Sequence, residues 1–224
     1  LTKNYKVGVK VFNDACIKDW NTWRKRYHEL DINDLIWINT ALHGILREQT
    51  CIYQDVAIKA IGEIVSFEDS ISVIELGCYR GSLAKEAIEN FGDKISAWVG
   101  YDINYHAIDN PIVKYKKFLG VKQTDWFYNV KIKNRFNVFV STSTLEHHSA
   151  EQFVAILERV ADSAVKYMLI GMPISQKNWR GYNGSHVLYL DEPSITGAIE
   201  GVGFSCFHKS IYRKVFHVWG AKRK

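Results

Sequence analysis

The residues able to do chemistry gather in a few short stretches. In "VIELGCYRGS", Val73–Ser82, an apolar run ends on Glu75 and Leu76, and two glycines follow at Gly77 and Gly81 before an apolar-periodic segment. Further on, His147 and His148 follow "STLE", and His186 stands in "NWRGYNGSHVLYL". Histidine titrates near neutral pH, so these three are candidate general bases, and His147 and His186 are the pair expected to face a reacting group. Glycines at a strand–turn–helix corner let the backbone approach a bound molecule closely.

The spacing argues against a pyrophosphate at that corner. A dinucleotide fingerprint needs G-x-G-x-x-G, and counting from Gly77 its second and third positions hold Tyr79 and Ser82. A P-loop would need Gly-Lys-Ser/Thr after the turn, and none follows.

The elements around these residues can be read from their periodicity. Strands are predicted over 72–76, 97–102, 115–121, 136–141 and 167–171, with helices over 82–91, from the Ser149 cap to 161, and from the Asp191 cap to 200. Ser149 and Gln152 have capping-box spacing, and Gly92 supplies a stop for the helix before it. The last segment, "FSCFHKSIYRKVFHVWG", reads as two strands joined by a short turn. Strands alternating with helices predict an α/β fold with a mostly parallel sheet and an antiparallel end.

With these elements placed, the chain resembles the class I S-adenosylmethionine (SAM)-dependent methyltransferases, from about Ile71 to Phe204. Their first motif is an acid, a hydrophobic residue and G-x-G-x-G, which Glu75-Leu76-Gly77-Cys78-Tyr79-Arg80-Gly81 matches except at Tyr79. "FNVFVSTSTLEHHSAEQF" is similar to the family's fourth-strand segment, with Asn137 in place of the usual aspartate. The resemblance implies a Rossmann-like fold of seven strands with helices on both faces. It implies SAM as cofactor, leaving as S-adenosylhomocysteine (SAH), and methyl transfer to oxygen or nitrogen of a small-molecule acceptor.

It also implies where the cofactor lies. Glu75, Gly77, Cys78, Tyr79 and Gly81 would hold the amino-acid end, and Ser141 and Thr142 would border it. Asp102, about twenty residues past Gly81, would take the ribose hydroxyls, with Ile103 and Asp125 at the adenine. Relatives with E-x-x-E-H at the later segment bind a divalent cation. Here Ser143 replaces the first glutamate, and Glu146, His147 and His186 make a thin set for an oxygen-seeking ion, so no metal site is expected.

Two other classes stay open: an RNA or protein methyltransferase, and a methyltransferase-like module that binds without turnover. No N-P-P-Y type motif follows the fourth strand, and no basic stripe interleaved with aromatics marks a strand-binding groove, so a nucleic-acid partner is not expected.

Composition bounds the rest. The chain's 224 residues, 47% apolar, suit one well-buried domain. Residues 1–68 are expected to form a helical lid or cap over a core spanning 69–224, with Trp20, Trp23, Trp37, Tyr53, Trp179 and Tyr182 walling the acceptor pocket. Cys16, Cys51, Cys78 and Cys206 form no C-x-x-C pair, which fits a reducing cytoplasm rather than a disulfide framework or zinc site. A net charge of +5 is mild, and no apolar run is long enough to span a bilayer. Oligomeric state is not encoded in these patterns.

Overall fold

A computed structural model describes residues 54–102, 111–123, 130, 132–174, 188, 190–212 and 216–224, with the backbone alone at His147. Expectations that fall on other residues lie outside this description, including the aromatic wall at Trp20, Trp23, Trp37, Tyr53, Trp179 and Tyr182.

The described elements begin with helix α1 (54–67). Then follow β1 (Ile71–Leu76), α2 (Ser82–Phe91), a 3-10 turn (Gly92–Lys94), β2 (Ile95–Asp102), β3 (Phe118–Gln123), β4 (Val138–Thr142) and a second 3-10 turn (Leu145–His147). After these come α3 (Ala150–Ala161), β5 (Tyr167–Pro173), α4 (Glu192–Gly201), β6 (Phe204–Tyr212) and β7 (Phe216–Arg223). The seven strands form one sheet in the order β3-β2-β1-β4-β5-β7-β6. Strands β1 to β5 pair in parallel, and β7 runs antiparallel to both β5 and β6. This is the expected mixed sheet.

Alternation along the strands builds two cores. Ile71 and Val73 of β1 meet Ala60, Ile61 and Ile64 of α1 and Leu83, Ala84 and Ala87 of α2 on one face. Ile74 and Leu76 point the other way, toward Phe153, Ile156 and Leu157 of α3 and Ile195 and Ile199 of α4. Side chains of a strand project alternately to its two faces, so each strand feeds both layers. Helix α1 therefore belongs to the packed core.

Helix ends follow their local chemistry. The Ser149 hydroxyl accepts from the Gln152 N–H at 3.3 Å, and the Gln152 side chain accepts from the Ser149 N–H at 2.9 Å, the capping box read from sequence. Asp191 caps α4 through the Ser194 N–H at 2.9 Å. Two strands begin later than their patterns imply. Tyr115 accepts from the Phe118 N–H at 2.9 Å, closing a turn ahead of β3. Before β4, the Asn137 side chain accepts from the Ser72 N–H at 2.8 Å, while the Asn137 N–H donates to the Ser72 carbonyl. An amide side chain thus does part of the work of a ladder there.

The chain leaves β1 toward β2 and β3 on one side, then returns to place β4 on the other. The crevice outside the carboxyl ends of β1 and β4 is the topological switch point, where ligands bind in open α/β sheets.

Candidate active site

Glycine geometry makes the corner after β1. Gly77 has φ 75° and Gly81 φ 86°, both in the left-handed region that side chains disfavour. A Cβ on Gly77 would fall on the Thr144 side chain, 2.6 Å from its Cβ, so the turn after β4 packs directly on this glycine. A Cβ on Gly81 would lie 2.8 Å from Val113. Tyr79, at the position of the family's middle glycine, also has positive φ, 45°. The corner keeps the backbone shape of three glycines with a tyrosine in the middle place.

Hydrogen bonds lock that shape to β2. The Gly77 N–H donates to the Tyr101 carbonyl at 2.7 Å, and the Tyr79 N–H donates to the Asp102 carboxylate at 2.7 Å. Asp102 ends β2 and is almost wholly buried. Cys78 turns its side chain inward, packing where a Cβ on Gly100 would stand. Only its backbone is left to the corner.

Glu75, the penultimate residue of β1, is buried at 2% exposure, and its carboxylate accepts from the Trp98 indole N–H at 2.8 Å. Burial pushes its pKa up to about 8; the Trp98 hydrogen bond opposes the shift and the nearby Asp102 charge adds to it. No lysine or arginine forms an ion pair with Glu75 among the described residues.

The segment after β4 forms the opposite wall. The Ser141 hydroxyl donates to the Leu76 carbonyl at 3.2 Å, joining the ends of β4 and β1, and Thr142 closes β4 beside it. Ser143 has φ 52°, and its N–H donates to the Gly171 carbonyl at 2.8 Å. Glu146 is buried at 2% exposure, and burial lifts its pKa to about 8. Its backbone carbonyl accepts from the Leu188 N–H at 3.0 Å.

The structure therefore brings together Glu75, Gly77, Cys78, Tyr79, Gly81, Asp102, Ser141 and Thr142 at one end of the sheet. Ile103, Asp125 and His186 lie outside the described residues, as does the His147 side chain. No group of three His, Cys, Asp or Glu suited to a metal occurs among the described residues.

Two residues, Thr144 and His217, escaped the sequence reading, and a third, His148, was passed over. Thr144 matters through its packing on Gly77, for which the sequence holds no signal. His148, weighed as a base but not chosen, is buried, with Nδ1 3.1 Å from the Thr144 carbonyl. His217 of β7 is buried opposite Met172, near the carboxyl end of β5, with Nδ1 3.5 Å from the Glu192 carboxylate. Burial lowers its pKa, while Glu192 acts the other way. Its alternation with Trp219 and Ala221, at inward positions, was the available clue.

No protein-family model matches the sequence, and no curated protein sequence matches it. Solved structures do match, at low identity. The chain is similar to the magnesium protoporphyrin IX methyltransferase ChlM of Synechocystis PCC 6803 with bound SAM, at 16% identity and TM-score 0.60, over 100% of this chain and 99% of that one. It is similar to an O-methyltransferase family protein from Burkholderia thailandensis at 12% identity and TM-score 0.67, over 90% and 63% of the two chains. A structure described as a pericyclic reaction enzyme also matches, at 8% identity and TM-score 0.56, over 70% and 44%. The fold is that of the class I SAM-dependent methyltransferases.

Proposed function

We propose that the protein is a SAM-dependent methyltransferase acting on oxygen or nitrogen of a small-molecule acceptor. The observation that carries this reading is the clamp of Tyr79 on Asp102: one hydrogen bond joins the glycine corner to the acid that ends β2. The donor set fits the cofactor. Asp102 presents an acid to ribose hydroxyls, and its charge would repel a pyrophosphate. Gly77 and Gly81 hold the left-handed turns of the corner, and their missing side chains let Thr144 and Val113 pack against it.

Bound SAM would supply a methyl group already on a good leaving group. The chain's share is then to position and to exclude water. Glu75 and the corner orient the amino-acid end, and Asp102 the ribose. A hydroxyl acceptor would also need a base, the role proposed for His147 or His186. The similarity to a magnesium protoporphyrin IX methyltransferase supports a small-molecule acceptor.

Tyr79 favours a second reading, a module that binds SAM without turnover, because a strained residue stands where the family has glycine. The pericyclic neighbour is a reminder that this fold hosts other reactions. Thermal unfolding with saturating SAM or SAH tests the proposal, since a ligand of the native state raises the melting temperature. A rise with both is expected; no rise with either would refute the cofactor. Release of SAH from SAM in the presence of acceptor then separates the enzyme from the silent binder.

A further inference from the structure

A hydrogen-bonded chain of three side chains stands apart from the cofactor corner, on the last strand of the sheet. Strand β6 is separated from β1 by β4, β5 and β7. On it, His208 Nε2 lies 2.9 Å from the Ser210 hydroxyl, and His208 Nδ1 lies 2.6 Å from the Glu63 carboxylate of α1. Ser210 and His208 are two residues apart on one strand and so share a face. All three keep contact with solvent, the His208 side chain at 12% exposure and that of Glu63 at 46%.

The backbone is shaped around this arrangement. The β6–β7 register slips between Cys206 and His208, a bulge of the kind that re-aims a side chain. Gly220 of β7 is paired with His208, and a Cβ there would lie 2.9 Å from the His208 Cβ. Phe207, the extra residue of the bulge, packs edge-on against Phe67 of α1 with ring centroids 5.3 Å apart. That contact fixes β6 to the helix that carries Glu63.

Proton positions follow from the partners. A carboxylate only accepts, so Nδ1 carries the proton of the neutral imidazole and Nε2 is a bare acceptor. The Ser210 hydroxyl therefore donates to Nε2. Nucleophile, base and base-orienting acid stand in the order that activates serine for acyl transfer.

We propose that Ser210 is an acyl-accepting nucleophile, with His208 as its base and Glu63 as the residue that positions the base. The Ser210 oxygen attacks the acyl carbon of an activated ester, and its proton passes to His208 Nε2. The bond from the acyl carbon to the leaving oxygen then breaks, and that oxygen takes the proton from Nε2. The products are an O-acyl serine and a free alcohol. An open position on an edge strand selects acyl donors with a good leaving group, such as aryl esters, rather than one acyl shape. This site is independent of the cofactor reading.

Incubation with para-nitrophenyl acetate followed by peptide mass mapping tests the proposal. Acetyl is expected on Ser210 well before Ser205, an exposed serine of the same strand with no histidine partner among the described residues. His208→Gln is expected to slow acetylation of Ser210 more than about a hundredfold, because the base is gone. Glu63→Gln is expected to slow it about tenfold, and Glu63→Asp, which restores the charge, to recover part of that rate. Lysine acetylation is the internal reference and is expected to stay constant across the variants. Ser210 acetylated no faster than Ser205, or a His208→Gln protein as fast as wild type, would overturn the site. A Glu63→Gln protein at the wild-type rate, or a Glu63→Asp protein as slow as Glu63→Gln, would overturn the positioning role. The Ser210-to-Ser205 comparison within the wild-type protein needs no variant, so it decides the matter even where a substitution disturbs folding.

Discussion

The indole of Trp98 donates to the carboxylate of Glu75 across the β1–β2 pair at 2.8 Å, with both side chains buried. A tryptophan that faces the core on β2 thus supplies a donor to an acid with no cation beside it among the described residues. The bond holds the acid in place beneath the glycine corner.

Trp98→Phe leaves that carboxyl oxygen without its donor and removes ring volume. A loss of about 1–3 kcal/mol is expected for the unsatisfied group, with a further loss for the space left behind. Urea denaturation measures it. Affinity for SAM is expected to fall as well, since Glu75 is freed to move and more strongly held in its protonated form.

Asp102→Ala separates binding from folding. The acid bonds the Tyr79 N–H, so its removal loosens the corner as well as deleting the expected ribose contact. SAM affinity is expected to drop more than about tenfold, the price of a charge-assisted contact. Far-ultraviolet circular dichroism is expected to stay unchanged. Unaltered affinity by calorimetry would reject the ribose assignment.

Gly77→Ala confronts both a left-handed backbone and the Thr144 side chain, which stands where the new methyl would go. A destabilisation of about 2–4 kcal/mol is expected from strain and overpacking together. Tyr79→Gly works in the opposite sense. Relief of about 1–2 kcal/mol of left-handed strain is offset by greater unfolded-state freedom and loss of a half-buried ring. Its melting temperature is expected to lie within a few degrees of wild type, with SAM binding retained.

The pH dependence follows from Glu75 and Glu146, whose pKa values rise from 4.5 to about 8 on burial. The folded state keeps these protons to higher pH than the unfolded chain. Their stabilising contribution is therefore complete below about pH 4.5 and is lost as pH rises toward about 8. Glu146→Gln has no proton to lose. Its urea midpoint is expected to match wild type at pH 5 and to exceed it at pH 8.5, by about 1–3 kcal/mol in stability. Parallel curves for the two proteins across that range would contradict the buried, proton-holding carboxyl.

Sequence alone determined the parts of this protein that are local. Alternation set the strands to within a few residues, helical spacing set the buried faces of α2 and α3, and the Ser149–Gln152 pair fixed a helix start by chemistry four residues long. The corner after β1 was legible too, because its glycines report backbone conformation directly. Tertiary structure decided the rest. The strand order that sets β4 beside β1, the contact of Thr144 with Gly77 and the capture of the Tyr79 N–H by Asp102 each join residues distant in sequence. The same holds for Glu146: its type was plain in the sequence, but its burial is not. Desolvation depends on what the whole fold packs around a group, and no spacing along the chain records it.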